Sequence, residues 1–129
     1  MTYIFIPSST PLLTNVSVTK TNATTGELLI RWSRPFKLDT TIFKGPYFYQ
    51  VQRADGNSNN VFKNVSALLP AQIKPAISDT SFVDIGVNTQ NKIYSYKVGF
   101  YYTDNGKPVL MENTIPGGNV YLYGQSTSS

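Results

Sequence analysis

The sequence predicts an all-β domain in which about seven antiparallel strands form a two-sheet β-sandwich. The first observation is hydrophobic alternation with a period of two, the pattern of half-buried strands, in several short segments. The second is a turn signal roughly every 8–15 residues, with no helical period between the signals. The third is composition, because 13% of the 129 residues are aromatic and only 14% are charged, a mix that suits strands and turns. The length corresponds to one domain.

The first half of the chain contains four predicted strands, each bounded by turn residues. Residues 1–10 precede them as a linker or an added edge strand. The strands occupy residues 11–21, 27–34, 47–53 and 61–66. The connections are a turn at 22–26, a long loop at 35–46 bounded by two prolines, and a polar segment at 55–60 that is typical of a hairpin turn.

The second half contains one brief strand, one long strand and a returning strand. Residues 67–79 hold Pro70 and Pro75, which predict an edge segment or a loop. A brief strand at 80–84 and a connection at 85–91 follow. The longest strand spans 93–103, Asn105-Gly106 forms a hairpin turn, and the chain returns from Pro108. Residues 120–123 extend the last strand after a break at 116–118. The predicted domain therefore spans 11–123, and 124–129 form a flexible tail.

The predicted core comes from the side chains that alternate to one face of each strand. The only tryptophan lies in the stretch GELLIRWSRP, where Leu28, Ile30 and Trp32 share a face. A Gly opens this stretch and a Pro closes it, which predicts a strand with a turn at each end. The predicted structural core consists of Trp32, Tyr49, Phe82, Tyr94 and Val98. We expect Trp32 to contact the opposite sheet through residues such as Tyr49, Phe82 or Val98.

Charge and composition exclude several classes of function. The formal net charge is +4, but the eleven Lys and Arg residues are spread along the whole chain rather than clustered, so no nucleic-acid binding is predicted. The absence of Cys and His excludes zinc fingers, thiol nucleophiles and histidine-based acid–base catalysis. No run of about 18 apolar residues is present, so no membrane insertion is predicted. The first seven residues lack the pattern of a signal peptide, which leaves an intracellular protein or an excised piece of a longer one.

The order of these signals resembles a fibronectin type III domain over residues 11–115. The second strand closes on Ile30-Arg31-Trp32-Ser33-Arg34-Pro35, an apolar-x-Trp-x-x-Pro pattern. The third strand carries Tyr49-Gln50-Val51-Gln52-Arg53, which is Tyr-x-Val with a basic end. The third match is Tyr94-Ser95-Tyr96-Lys97-Val98, with Val87 seven positions before it, one more than the family spacing. The resemblance implies that Trp32 lies between the sheets. It also implies that Tyr94 forms a tyrosine corner with the connection at 85–91.

Two further stretches are similar to type III-like domains of large Bacteroidetes surface proteins, those named for gliding motility and type IX secretion. They are residues 80–89, TSFVDIGVNT, and residues 16–21, VSVTKT, followed by the strand that ends in Trp32. This similarity implies a piece of a long exported protein at the bacterial cell surface, with a role in adhesion or gliding motility. Its partners would be the neighbouring domains of the parent chain, or a surface protein or glycan, and the domain itself would be monomeric.

The motifs that could carry chemistry have simpler structural explanations. The stretch Asp55-Gly56-Asn57-Ser58-Asn59 spaces oxygen atoms like a calcium loop, but the required Gly and Glu positions hold Asn60 and Ser66. A hairpin turn is the favoured interpretation. The carboxylates are scattered, and Asp79 and Asp84 flank one short strand, where they are well placed to cap turns. We therefore expect no enzyme activity, no metal site and no cofactor.

The remaining candidates for a binding site are exposed aromatic and aliphatic side chains. They are the residues of the loop at 35–46 and nearby strands, namely Phe36, Ile42, Phe43, Phe48, Tyr101 and Tyr102. Such side chains stack on sugar rings or anchor a protein partner, but they also cover a sheet or face a neighbouring domain. Two functions therefore stay open: a structural spacer or interaction module, and a glycan- or protein-binding module. The spacer gains support if the loop side chains pack back onto the sandwich, and the binding module if they form an exposed patch.

Overall fold

The computed structural model describes residues 11–35, 38–56, 61–71 and 80–118. These residues form two antiparallel sheets with no helix in the described part of the chain, so the predicted all-β sandwich is confirmed. The arrangement is consistent with a fibronectin type III-like or immunoglobulin-like fold. The strands are β1 (Leu13–Lys20), β2 (Gly26–Trp32), β3 (Lys44–Asp55), β4 (Lys63–Asn64), β5 (Leu69–Ala71), β6 (Ser81–Val87), β7 (Tyr94–Asp104), β8 (Lys107–Asn113) and β9 (Gly117–Gly118).

Several sequence predictions concern residues outside this description. The linker at 1–10, Phe36 within the long loop, the strand extension at 120–123 and the tail at 124–129 all lie outside the described residues.

The three-stranded sheet has the order β1-β2-β6. Ile30 is its central core residue, opposite Val16 of β1 on one side and Phe82 of β6 on the other. The prediction that Phe82 reaches Trp32 from the opposite sheet is therefore wrong, because β6 pairs directly with β2. Phe82 is partly buried against the core rather than central to it. The strand β6 also runs further than the predicted 80–84, through Gly86, whose φ of 72° favours glycine.

The six-stranded sheet follows the order β4-β3-β7-β8, with β5 also on β3 and β9 also on β7. The long strands β3 and β7 form its centre, with Tyr49 opposite Phe100 and Val51 opposite Val98. The strand β3 begins at Lys44, so the loop before it is shorter than the predicted 35–46. Among the described residues, the proline-containing β5 pairs only with β3, at the edge position that proline tolerates.

The predicted hairpin turn joins β7 to β8. Asn105 and Gly106 have φ values of 53° and 75°, the left-handed pair that a type I′ turn requires and that Asn-Gly adopts readily. The strands β3 and β4 also form an antiparallel pair, with Gln52 opposite Asn64, but residues 57–60 of the turn predicted at 55–60 lie outside the described residues.

The core lies between the sheets and follows the predicted alternation. Its buried side chains are Leu28, Ile30, Trp32, Tyr49, Val51, Val87, Tyr94, Tyr96, Val98 and Phe100. Trp32 is 3% exposed, and its ring meets the Tyr49 ring of the other sheet edge-to-face, with centroids 5.2 Å apart. An aromatic pair of this geometry stabilises the fold by about 0.5–1.5 kcal/mol beyond the burial of its area. Four of the five predicted core residues, all except Phe82, are thus buried.

Candidate functional site

The described end of the loop before β3, from residue 38 onward, is built around Asp39. Its carboxylate accepts hydrogen bonds from the backbone N–H and the hydroxyl of Thr41, at 3.0 and 2.6 Å, and these bonds lower the pKa of Asp39. Its carbonyl accepts from the N–H groups of Ile42 and Phe43, at 3.2 and 2.9 Å. This tight turn directs the two apolar side chains that follow it differently. Ile42 is 65% exposed, whereas Phe43 is half-buried.

Phe43 packs onto the end of the six-stranded sheet. Its ring meets the Tyr102 ring of β7 edge-to-face, with centroids 5.1 Å apart. Its carbonyl accepts a 2.6 Å hydrogen bond from the Tyr47 hydroxyl, and the Tyr47 ring stacks on Phe100 of the core at 5.7 Å. Burial raises the pKa of Tyr47, which keeps this donor protonated. Two of the predicted binding residues, Phe43 and Tyr102, therefore contact each other, and they anchor the loop to the core.

The other two strand aromatics lie on the opposite side of the same sheet. Phe48 and Tyr101 are direct cross-strand neighbours, and Leu110 of β8 follows Tyr101 in the same row. All three alternate with inward-facing neighbours, so they belong to the outer face of the six-stranded sheet. The Tyr101 hydroxyl donates to Gln50 Oε1 at 3.2 Å. The predicted set of binding residues is thus divided between the loop end and this outer face.

The outer face also carries amides and a cation. The Gln50 amide donates to the Ser66 carbonyl at 3.3 Å, and the Gln52 amide donates to Asn64 Oδ1 at 2.8 Å. Lys97 Nζ lies 4.5 Å from the centre of the Phe62 ring, a cation–π contact. The face therefore combines flat apolar groups with hydrogen-bonding side chains.

A polar network that the sequence analysis missed joins the two sheets inside the sandwich. Asp84 Oδ2 of β6 accepts from Arg53 Nη1 of β3 and from the Tyr96 hydroxyl of β7, both at 2.7 Å. Asp84 is 5% exposed and lies within β6, so the prediction that it caps a turn is wrong. A carboxylate in a strand interior is buried only when it is paired in this way. In the sequence, the inward orientation of Asp84 is indicated by its position two residues after Phe82, on the same face of the strand.

The network shifts two pKa values. Burial works against the charged Arg53 guanidinium, but the hydrogen bond and the charge of Asp84 outweigh it, and the pKa of Arg53 is raised. Burial, the hydrogen bond to Asp84 and its negative charge together raise the pKa of Tyr96 far above the ordinary value of 10.0. Tyr96 therefore stays a neutral donor over the physiological range.

The guanidinium also lies over the Tyr94 ring, 5.4 Å from its centroid. The Tyr94 hydroxyl accepts a 2.9 Å hydrogen bond from the backbone N–H of Asn88, in the connection that precedes β7. This is the tyrosine-corner contact that the resemblance implied.

The described carboxylates do not converge on a reaction centre. Asp84 is engaged with Arg53 and Tyr96, and Asp39 with its own turn. The others lie on different elements: Glu27 on β2, Asp55 and Asp104 at strand ends, and Glu112 on β8. Within residues 11–35, 38–56, 61–71 and 80–118, no group of three metal-ligating side chains occurs. The same described residues contain no helix that is long and apolar enough to cross a membrane.

Comparison with known proteins provides no family assignment. No protein-family model matches the chain, and no curated protein matches it at a significant level.

Proposed function

We propose that this chain is a non-catalytic spacer and interaction module of a larger secreted or cell-surface protein. The observation that supports this proposal most directly is that the loop before β3 packs onto the sheet through Phe43. Phe43, one of the aromatic residues predicted to contact a partner, packs on Tyr102, and its carbonyl accepts from Tyr47. Held in this way, the described residues of the loop contribute to the rigidity of the domain rather than to capture of a ligand.

The connections between the sheets support the same role. The Trp32–Tyr49 contact joins the sheets near one end of the interior, and the Arg53–Asp84 ion pair joins them near the other. Two independent links resist sliding of one sheet over the other, a property that a spacer needs. The resemblance to fibronectin type III domains of gliding-motility and type IX secretion proteins adds a bacterial cell-surface location and neighbouring domains as partners.

The spacer proposal is tested by two matched loop substitutions. Phe43→Ser removes a half-buried ring, and we expect a loss of about 2 kcal/mol of stability. Ile42→Ser removes a side chain that is 65% exposed, and we expect a change within about 0.5 kcal/mol. Thermal and urea unfolding provide the measurement. A Phe43→Ser variant as stable as the wild type would show that the loop is not part of the rigid body, and the proposal would fail.

Binding through the loop is the second candidate, and the exposure of Ile42 is the observation that favours it. If the loop captures a protein or glycan, Ile42→Ser weakens binding to a surface-glycan array or to whole cells without lowering the melting temperature. The spacer proposal predicts equal signals for the wild type and Ile42→Ser in the same assay. Hydrolase and transferase substrate panels complete the test, and we expect no turnover.

A further inference from the structure

The outer face of the six-stranded sheet carries a flat apolar row at one end. Phe48, Tyr101 and Leu110 lie side by side across β3, β7 and β8, at the strand spacing of about 5 Å. Leu110 is 44% exposed, and both rings are partly exposed. The row is too short to form the apolar centre of a protein interface, but it provides a platform for one ring-shaped ligand group.

Side-chain amides lie next to the apolar row, further along the same strands. Gln50 and Asn113 lie on either side of Gly99, which has no side chain. A Cβ atom at Gly99 would lie 2.8 Å from Asn113 Oδ1 and 3.1 Å from Leu110 Cδ1, so these side chains close over the glycine. Apolar and amide groups thus form one continuous surface with hydrogen-bonding atoms beside the apolar row.

The charge that the described residues place on this face is positive. Lys97 lies on the same face of β7, about 13 Å from Tyr101 along the strand. Its ammonium group contacts the Phe62 ring, with Nζ 4.5 Å from the ring centre. By the strand register, the described residues place no carboxylate on this face, whereas the outer face of the three-stranded sheet carries both Glu27 and Arg31. An anionic partner is therefore complementary to it.

We propose that this outer face binds a strand of acidic polysaccharide, with a sugar ring on the Phe48–Tyr101–Leu110 row and a uronate carboxylate at Lys97. Gln50 and Asn113 lie between these points and are suited to sugar hydroxyls. A glycan fits better than a protein, because lysine is depleted from the cores of protein interfaces and Lys97 lies within this face. This inference goes beyond the spacer role, and the loop substitutions at residues 42 and 43 do not bear on it.

The experiment compares two polymers with the same backbone. Polygalacturonate carries the carboxylates, and its methyl ester masks them; alginate serves as a second acidic polymer. We expect the whole chain to bind polygalacturonate or alginate saturably in isothermal titration calorimetry, and the ester more weakly. Lys97→Gln should weaken binding of the acidic polymer about fivefold and leave binding of the ester unchanged. Lys107→Gln removes the same charge at the start of β8, in the hairpin and away from the row, and should change neither affinity by more than about twofold.

The apolar row is tested with Leu110→Gln and Tyr101→Ser. Leu110→Gln alters an exposed side chain, so the fold is retained, and we expect weaker binding of both polymers. The proposal is overturned if neither acidic polymer binds. It is also overturned if Lys107→Gln weakens binding as much as Lys97→Gln, because the attraction is then only net charge. Unchanged binding by folded Leu110→Gln and Tyr101→Ser would likewise exclude the row as the site.

Discussion

The two ends of the sandwich interior are held together by different physics. Near one end, Trp32 of one sheet meets Tyr49 of the other ring to ring. Near the other end, Asp84 accepts hydrogen bonds from Arg53 and Tyr96 across the same gap. Ring packing stabilises in proportion to buried area and tolerates small shifts. The ionic network requires defined atom positions, and it costs stability whenever one partner is missing.

The two ends serve different purposes: the aromatic end stabilises the domain, and the ionic end fixes the position of one strand. The aromatic end stabilises the domain by burial, because Trp32 and Tyr49 are large and almost fully buried. The ionic end contributes little net free energy after the cost of desolvating its charges. It sets the position of β6 relative to β3 and β7 instead, since a shift of one residue would separate Asp84 from both donors.

The largest effect is expected at the aromatic end. Trp32→Ala removes the largest side chain of the core between the sheets and leaves a cavity, which should lower the free energy of unfolding by about 3–5 kcal/mol. Trp32→Phe retains a ring and should lose less, because the buried indole N–H has no hydrogen-bond partner among the described residues. Urea unfolding measures both. A Trp32→Ala variant that melts like the wild type would show that this contact does not hold the sheets together.

The next effect concerns the ionic end. Asp84→Ala leaves the Arg53 guanidinium without its carboxylate, and the Arg53 side chain is only 22% exposed. We expect a loss of about 3 kcal/mol, because an uncompensated buried charge is costly.

The matched control replaces both charged groups. The double variant Arg53→Met/Asp84→Leu should recover part of the stability, since an apolar pair avoids the cost of desolvating two charges. The recovery is incomplete because the buried Tyr96 hydroxyl still lacks the acceptor that Asp84 provides. Equal losses in the single and the double variant would contradict this account, because they would indicate that shape at this end matters more than charge.

The contrast also explains what the sequence could predict. Period-two alternation identified the longer strands and the buried faces, including Trp32, Tyr49, Tyr94 and Val98, because hydrophobic burial dictates that pattern directly. It did not identify β9, which lies within the predicted break at 116–118. The Asn105-Gly106 turn was equally readable, since its left-handed conformation selects these residues.

The ionic end was missed because a carboxylate in a strand is normally assigned to a turn or to solvent. Its inward position could be inferred from Phe82, but its partners, Arg53 and Tyr96, lie 31 and 12 residues away in sequence. Their meeting depends on how the sheets stack. The loop before β3 was equally unpredictable, because no periodicity distinguishes the inward Phe43 from the outward Ile42.

Tyr96 allows the ionic end to be followed with pH. Its folded-state pKa is raised above the ordinary value of 10.0, so the fold favours the neutral phenol. The stability that Tyr96 contributes is therefore complete below about pH 10 and is lost as the pH rises further, because the unfolded chain ionises first. Above pH 10 the wild type should lose up to about 1.4 kcal/mol per pH unit more than Tyr96→Phe.

Urea unfolding between pH 8 and 11 provides this comparison. At neutral pH, Tyr96→Phe should be about 2 kcal/mol less stable than the wild type, because the hydrogen bond to a charged acceptor is lost. Parallel alkaline slopes for the two proteins would mean that Tyr96 ionises as readily in the folded state as in the unfolded chain.

The smallest effect separates the ionic end from the connection beside it. Tyr94→Phe keeps the ring under the Arg53 guanidinium but removes the oxygen that accepts from the Asn88 N–H. The expected loss is about 1 kcal/mol, the cost of one neutral hydrogen bond. Tyr101→Phe is the matched control on the same strand, because its hydroxyl bonds Gln50 on the partly exposed outer face at 3.2 Å. Water replaces that bond, so its removal should cost less than about 0.5 kcal/mol. If both variants lose the same amount, the corner contact adds nothing specific, and the connection before β7 depends on the hydrogen bonds of its own turn.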